Sequence, residues 1–235
     1  MNEKSVNTPL GEPVPNWTPR PRPTRTALIG AWCTLEPLDV ERHARALHAA
    51  FAQDVDGVGW AYLPYGPFPD AEAYAAWMRT TALGADPQFF AVVDRSGAAV
   101  GIVAYLRIEP AHGAIEIGHI HWSPALQRTP TATEAIFLLI DHAFSLGYRR
   151  VEWKCNSRNA PSRAAAQRFG FTFEGEFRRH MVVKGRNRDT AWYALIEEDW
   201  PPLRAQYVRW LAAANFDEHG RQRTRLRSTD SHPSA

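Results

Sequence analysis

The sequence predicts an α+β fold, an α/β sandwich whose mixed, mostly antiparallel central sheet carries helices on both faces. Three observations predict it. Gln88–Asp94, Ala99–Ile108 and Ala114–Trp122 are strand candidates separated by the turn signals DRSG and EPAHG, which makes an antiparallel meander. The third of these leads through a nearly continuous apolar helix, Glu134–Leu146, to a strand at Arg149–Cys155, and such a β-α-β crossover implies a parallel pair. Phe171–Val183 and Arg188–Glu197, joined by the polar turn KGRN, add a closing pair of strands.

Local chemistry accounts for each element in turn. Gly30 to Pro37 reads as a first strand, with Cys33 and Leu35 on one side and Trp32, Thr34 and Glu36 on the other. Asp39 then caps a helix in which Val40, Leu47, Ala50 and Phe51 fall near helical spacing. Asp54 to Asp70 combines three Pro and three Gly with Trp60, Tyr62, Tyr65 and Phe68, the composition of an aromatic loop. A second helix spans Asp70 to Leu83, with Ala73, Trp77 and Met78 inward. After the meander, the run from Ala135 to Ile140 is apolar on every side, so its helix is packed on more than one face, and Gly147 stops it. Val151, Trp153 and Cys155 alternate with Glu152 and Lys154, a half-buried strand. Asn159 to Phe169 is a short helix ended by Gly170, and Pro201–Ala213 is a last helix carrying Leu203, Tyr207, Trp210 and Leu211.

Composition narrows the function classes. The chain has 235 residues, 45% hydrophobic and 22% charged, as in an ordinary soluble globular protein with a sizeable core. Net charge is only +2, which argues against nucleic acid or a membrane surface as partner. No apolar run reaches membrane-spanning length, and the first residues lack the apolar stretch of a secretory leader. The two cysteines, Cys33 and Cys155, exclude a disulfide framework and fit a reducing, cytoplasmic setting. Nine tryptophans are many for this length, so some are expected on a binding surface. Six of the 18 prolines fall in the first 23 residues, so 1–25 reads as a disordered Pro-rich arm, 26–214 as the folded domain and 215–235 as a disordered Arg-rich tail. Arg221, Arg223, Arg225 and Arg227 of that tail are either solvated or meet an acidic partner.

The chemistry-bearing pieces are EIG (Glu116–Gly118), WSP (Trp122–Pro124), Gln127, TEA (Thr133–Ala135), NAPS (Asn159–Ser162) and FGFTFEG (Phe169–Gly175). Each is short, but in this order and spacing they resemble the GNAT N-acetyltransferase superfamily, and within it the RimJ/RimL-type (ribosomal-protein-alanine) branch, from about Thr26 to Trp200. The resemblance implies a GNAT-like acyl-CoA N-acyltransferase fold and acetyl-CoA as cosubstrate. It also implies direct transfer of the acetyl group to a primary amine, a protein N-terminus or a small molecule, in a ternary complex. Acetyl-CoA would lie in a gap between the strand ending at Trp122 and the strand ending near Cys155. The main chain of Ile120, His121 and Trp122 would pair with the pantetheine amides. The pyrophosphate would rest on Gln127, Arg128, Thr129, Thr131, Ala132 and Thr133, at the positive end of the apolar helix. Here the chain departs from the family pattern, with Arg128 and Pro130 where glycines are usual; proline has no N–H to give, and Arg128 with the threonine hydroxyls would replace it. Thr129-Pro130 also fits an N-cap followed by Pro, and Thr131 with Glu134 a capping box.

For catalysis, the resemblance places Asn159 on CoA and Ser162 where an acid would protonate the departing thiolate, although Ser162 reads equally as a first-turn helix serine. An amine acceptor must lose a proton, and Glu116, His119 and His121 are the candidate bases. Strand alternation sets Glu116 on one face and both histidines on the other, with Glu116 the first choice. Glu176 or His180 are the nearest substitutes on the strand after FGF. His119 and His121 form an HxH pair without further ligands, so no metal is expected. Trp60, Tyr62, Tyr65 and Phe68 would line the acceptor pocket or form a loop mini-core. Arg178, Arg179, Lys184, Arg186 and Arg188 cluster near the KGRN turn, either solvated or facing an acidic substrate or the CoA 3′-phosphate. P-loop, dinucleotide, GxSxG and HExxH patterns are missing. The alternatives are a catalytically inactive acyl-CoA-binding sensor or scaffold and, through the Arg-rich tail, a nucleic-acid-associated protein. A monomer and a homodimer are both compatible with the sequence.

Overall fold

In the computed structural model, which describes residues 10–226, an eight-stranded sheet forms the centre of the molecule. The chain runs through β1 (Leu28–Ile29), β2 (Cys33–Pro37), α1 (Val40–Phe51), α2 (Ala71–Trp77), β3 (Gln88–Asp94), β4 (Ala99–Glu109) and β5 (Ala114–Trp122). It continues through α3 (Pro130–Ser145), β6 (Arg150–Asn156), α4 (Ala160–Arg168), β7 (Thr172–Val183), β8 (Arg186–Ile196) and α5 (Trp200–Leu211). Strand order is β1-β2-β3-β4-β5-β6-β8-β7, and β5–β6 is the one parallel pair among the described residues. The crossover through α3 produces that pair, as the sequence predicts.

The helix starts are chemical. The Asp39 and Asp70 carboxylates each accept a backbone N–H three residues on, from Arg42 and Ala73, at 2.8 Å. Thr129 caps α3, its hydroxyl oxygen accepting from the Ala132 N–H at 3.1 Å, and Pro130 opens the first turn. The second predicted helix shortens to α2 and finishes as a π-turn, Met78–Ala82. One core lies between the sheet and α3 with α5, built on Val103, Tyr105, Ile115, Ile117, Leu139 and Tyr207. The other lies under α1 and α2, built on Leu47, Phe51, Trp60, Tyr74, Phe89 and Ile102. Among the described residues no helix is long and apolar enough to cross a membrane.

Three local expectations are corrected. Glu134 forms no capping box; it is buried and accepts the backbone N–H groups of Ala31 (2.8 Å), Trp32 (2.6 Å) and Cys33 (2.8 Å), clamping the β1–β2 turn. The domain does not stop at 214. The buried Asn215 side chain bonds to Trp210 O at 2.9 Å and to the Thr224 N–H at 2.9 Å, and Leu226 is buried. Arg221 pairs with Asp217 at 3.1 Å within this packed segment, whereas Arg227 lies outside the described residues. The described part of the arm, 10–25, has no helix or strand, yet it docks. The Trp17 indole donates to Ala111 O at 2.8 Å, the Arg20 N–H to Pro110 O at 3.0 Å, and Arg22 to Ile108 O at 3.2 Å. Its prolines preclude regular ladders without precluding such side-chain bonds.

Candidate active site

Strands β5 and β6 pair at Ala114–Arg150, Ile115–Val151 and Glu116–Glu152, and nowhere beyond. Past that point Ile117–Trp122 keeps only β4 beside it, and Trp153–Asn156 keeps only β8. A wedge therefore opens in the middle of the sheet. The pairing of β4 with β5 shifts by one residue between Ile102–His121 and Ala104–Gly118, so β5 holds an extra residue there. His119 takes a left-handed conformation in this bulge, φ 50.

The bulge overturns the alternation argument. Ile115 and Ile117 point to the α3 side, so Glu116 points to the α1–α2 side. After the extra residue both histidines point that way too: His119 packs on Tyr65 and Phe89, His121 on Phe51 and Trp60. All three candidate bases share one face.

Their surroundings differ. Glu116, buried where the strands part, accepts from Arg107 at 2.6 Å and Lys154 at 2.9 Å. Lys154 also pairs with Glu152 at 2.5 Å and lies 4.0 Å over the Trp192 ring. Burial alone would raise the Glu152 carboxyl, but its bonds from Lys154 and Arg150 hold it below the ordinary range. Glu116 is the one carboxylate partner of Arg107 among the described residues, whereas Lys154 keeps Glu152 as well. His119 is pushed down to about 4, first by burial and then by the Arg107 and Arg188 guanidiniums. Its Nδ1 stands 3.2 Å from the Tyr65 hydroxyl. His121 is also pushed down to about 4 by burial. Its ring stacks on Phe51 at 4.0 Å, and its Nδ1 has no partner among the described residues. The ring is used in packing against Phe51 and Trp60.

The aromatic loop is tied across the wedge. Trp60 and Phe68 pack edge to face at 5.6 Å and join the α1–α2 core, while Tyr65 faces His119. The Tyr62 hydroxyl donates to Arg158 O at 2.9 Å, just beyond β6. Lys184, at the β7–β8 turn, donates to Trp60 O at 2.9 Å and Gly66 O at 2.8 Å. Gly66 has φ 63, and a Cβ there would come within 2.3 Å of the Trp60 ring, so glycine is required.

On the other face, α3 presents its amino end beside β5. Arg128 has φ 62 at the position where the family pattern has glycine, so the loop keeps the left-handed turn without it. Among the described residues the N–H groups of Arg128, Thr129 and Thr131 have no acceptor, whereas those of Ala132 and Thr133 are taken by Thr129. Arg128 and Gln127 are exposed. Ala132 and Thr133 are buried, and the Thr133 hydroxyl donates to Thr129 O and accepts from Arg168 at 3.1 Å, so it cannot also face a phosphate. Asn159 caps α4 by accepting from the Ser162 N–H at 3.1 Å. Ser162 Oγ accepts from the Trp153 indole at 3.0 Å, near the buried Cys155 thiol. The half-buried Ile120 and Trp122 side chains lean on the α3-side core, leaving only their main chain for the wedge. Glu176 and His180 lie on the exposed β7, His180 bonded to Thr190 at 3.0 Å. Arg107, Lys154 and Tyr65's contact with His119 escape sequence reasoning, because strand alternation marks Lys154 only as a polar-face residue.

This geometry accommodates a thioester carrier: an unpaired strand edge for amides and a helix start with free N–H groups for a diphosphate. The comparisons with known proteins agree. The description "Acetyltransferase (GNAT) domain" matches residues 33–172. A GCN5-related N-acetyltransferase structure from Brucella melitensis is 47% identical, with a TM-score of 0.89 over 91% of this chain and 97% of that one. A GNAT-family structure from Chromobacterium violaceum is 46% identical, with a TM-score of 0.77 over 82% of this chain and 97% of that one. The protein named "Uncharacterized N-acetyltransferase p20" from Bacillus licheniformis is 29% identical over 118 residues, 48% of this chain and 64% of p20. The fold extends to RimJ of Mycobacterium smegmatis, at 22% identity and a TM-score of 0.58 over 72% of this chain and 84% of that one. The wedge, the capped α3 and these matches lead to one conclusion: the chain belongs to the GNAT acetyltransferase family.

Proposed function

We propose that the protein is a cytoplasmic N-acetyltransferase that transfers the acetyl group of acetyl-CoA to a primary amine held in the same complex. The single observation that carries the reading is the parting of β5 and β6 after Glu116 and Glu152, beside a helix start with free N–H groups. Support also comes from the structural neighbour RimJ of Mycobacterium smegmatis, solved in complex with CoA-disulfide. Bound acetyl-CoA supplies an activated thioester. The chain's part is to hold and orient it. The main chain of Ile120–Trp122 takes the amides, and Arg128, Thr129 and Thr131 take the diphosphate.

His119 is the proton acceptor in this reading. It is neutral at cellular pH, faces Tyr65 on the open side of the bulge, and lies near Arg107 and Arg188. Those cations also disfavour the ammonium form of an incoming amine, so the nucleophile is easier to free. Glu116 is reassigned to positioning: it fixes Arg107 and Lys154 rather than taking the proton. Ser162, beside Cys155 and Trp153 where β6 ends, returns a proton to the departing sulfur. Arg128's left-handed backbone keeps the turn of the diphosphate loop, which an enzyme and an acyl-CoA-binding sensor both need.

The test is thiol release from acetyl-CoA against a broad amine panel, with mass spectrometry of the product. Free thiol in step with one acetylated amine is expected. Silence across the panel, together with no calorimetric binding of acetyl-CoA, rejects the reading.

A further inference from the structure

The acceptor-side face holds more positive charge than its carboxylates answer. Glu116 is taken by Arg107 and Lys154, Glu152 by Lys154 and Arg150, and Glu174 by Arg150. Among the described residues Arg188 and Lys184 have no carboxylate within reach. Lys184 is occupied by two loop carbonyls. Arg188 is not: its Nε donates to Thr190 Oγ1 at 3.1 Å, and the N–H groups of its two terminal nitrogens have no partner.

Its position follows from register. Asn156–Thr190 is the last β6–β8 pair, so Arg188 stands just past the end of β6, flanked on the β7 side by Met181. Trp192 is on the acceptor face, against Lys154, so by alternation Thr190 and Arg188 are too. The half-buried guanidinium lies near enough to Glu116 and Arg107 to feel their charges, and His119 feels it in turn. It stands over the wedge beside the reacting centre. Four residues along the strand, the Trp192 indole N–H is buried and without a partner among the described residues, a second unused donor on this face.

Resting on the acyl-transfer reading above, we infer that the acceptor is a small amine bearing a carboxylate, in the manner of a free amino acid, and that Arg188 binds the carboxylate. A guanidinium offers two parallel N–H bonds to a carboxylate, a fit no neutral acceptor uses. The diphosphate of the carrier belongs to α3, on the opposite face of the sheet, so this cation is left for the acceptor. The ties from Tyr62 to Arg158 and from Lys184 to the aromatic loop bridge the wedge on this side, which suits a small molecule better than a folded protein's terminus.

The experiment compares free amino acids with their carboxamides and with peptides amidated at the C-terminus, on the full chain and on Arg188→Gln. Thiol release and product mass are followed, with calorimetric binding of N-acetyl amino acids as a readout independent of turnover. The wild type prefers acids over carboxamides, and Arg188→Gln narrows that preference by about 10- to 100-fold, mainly in KM, as expected for one charge-assisted pair. Arg188→Lys recovers part of it, and the Kd for acetyl-CoA does not move. Carboxamides or peptides acetylated as well as free acids overturn the inference while acyl transfer stands. If no amine releases thiol, acyl transfer fails, and calorimetry decides the carboxylate site: N-acetyl amino acids binding the wild type but not Arg188→Gln support it, and no binding to the wild type overturns it.

Discussion

The two halves of the β5–β6 junction use similar residues to opposite ends. Over Ala114–Glu116 the strands are hydrogen-bonded, with Ile115 and Val151 buried on one side and the Glu116–Lys154–Glu152 cluster on the other. Over Ile117–Trp122 the strands have parted, β5 bulges, and the polar side chains turn toward an aromatic loop instead of a neighbouring strand. The closed half is where charge is spent on structure. The open half is where backbone and imidazole remain available.

The largest effect that would sharpen this contrast is with pH. Burial holds His119 and His121 near 4, while an unfolded histidine titrates near 6.5, so the unfolded chain binds more protons between those values. Stability is full above pH 6.5 and falls as pH drops toward 4, by roughly 3 kcal/mol for each ring at the acid end. Thermal midpoints measured across that range, with a shallower slope in His121→Phe, check it. Next comes the closed half. Glu116→Ala leaves Arg107 without a carboxylate and Lys154 with Glu152 alone, and costs about 2–3 kcal/mol in denaturant unfolding, whereas Glu116→Gln costs less. In the open half, His119→Ala lowers kcat about 100-fold with little change in stability, a split that His121→Ala reverses. Ser162→Ala lowers kcat more than it weakens acetyl-CoA binding; equal losses would make Ser162 a helix-start serine only. The smallest effect is Thr129→Ala, which costs about 1 kcal/mol of stability through the lost cap on α3.

Most of the architecture is legible in the sequence because it is written in local signals. Asp39, Asp70 and Thr129 act as caps, DRSG and KGRN turn the chain, and Val151, Trp153 and Cys155 alternate into the core. The site is legible only in outline. A one-residue bulge leaves no trace in composition, yet it decides which face His119 and His121 occupy. Glu134 sits three residues after Thr131, so local spacing assigns it to the helix start, while its partners lie a hundred residues earlier in the chain. The packing of 215–226 rests on the buried amide of Asn215, on Phe216 against Trp32 and Trp210, and on buried Leu226, which an Arg-rich composition conceals.

The two cysteines carry a practical consequence. Cys33 lies in the core beside Glu134, and Cys155 beneath Ser162; burial pushes both thiols up, and the nearby carboxylate pushes Cys33 further. Neither is present as the reactive anion while the chain stays folded. A colorimetric sulfhydryl reagent added during turnover therefore reports the liberated cosubstrate alone, and any slow protein-borne signal in the blank follows molecules that have come unfolded, two thiols for each.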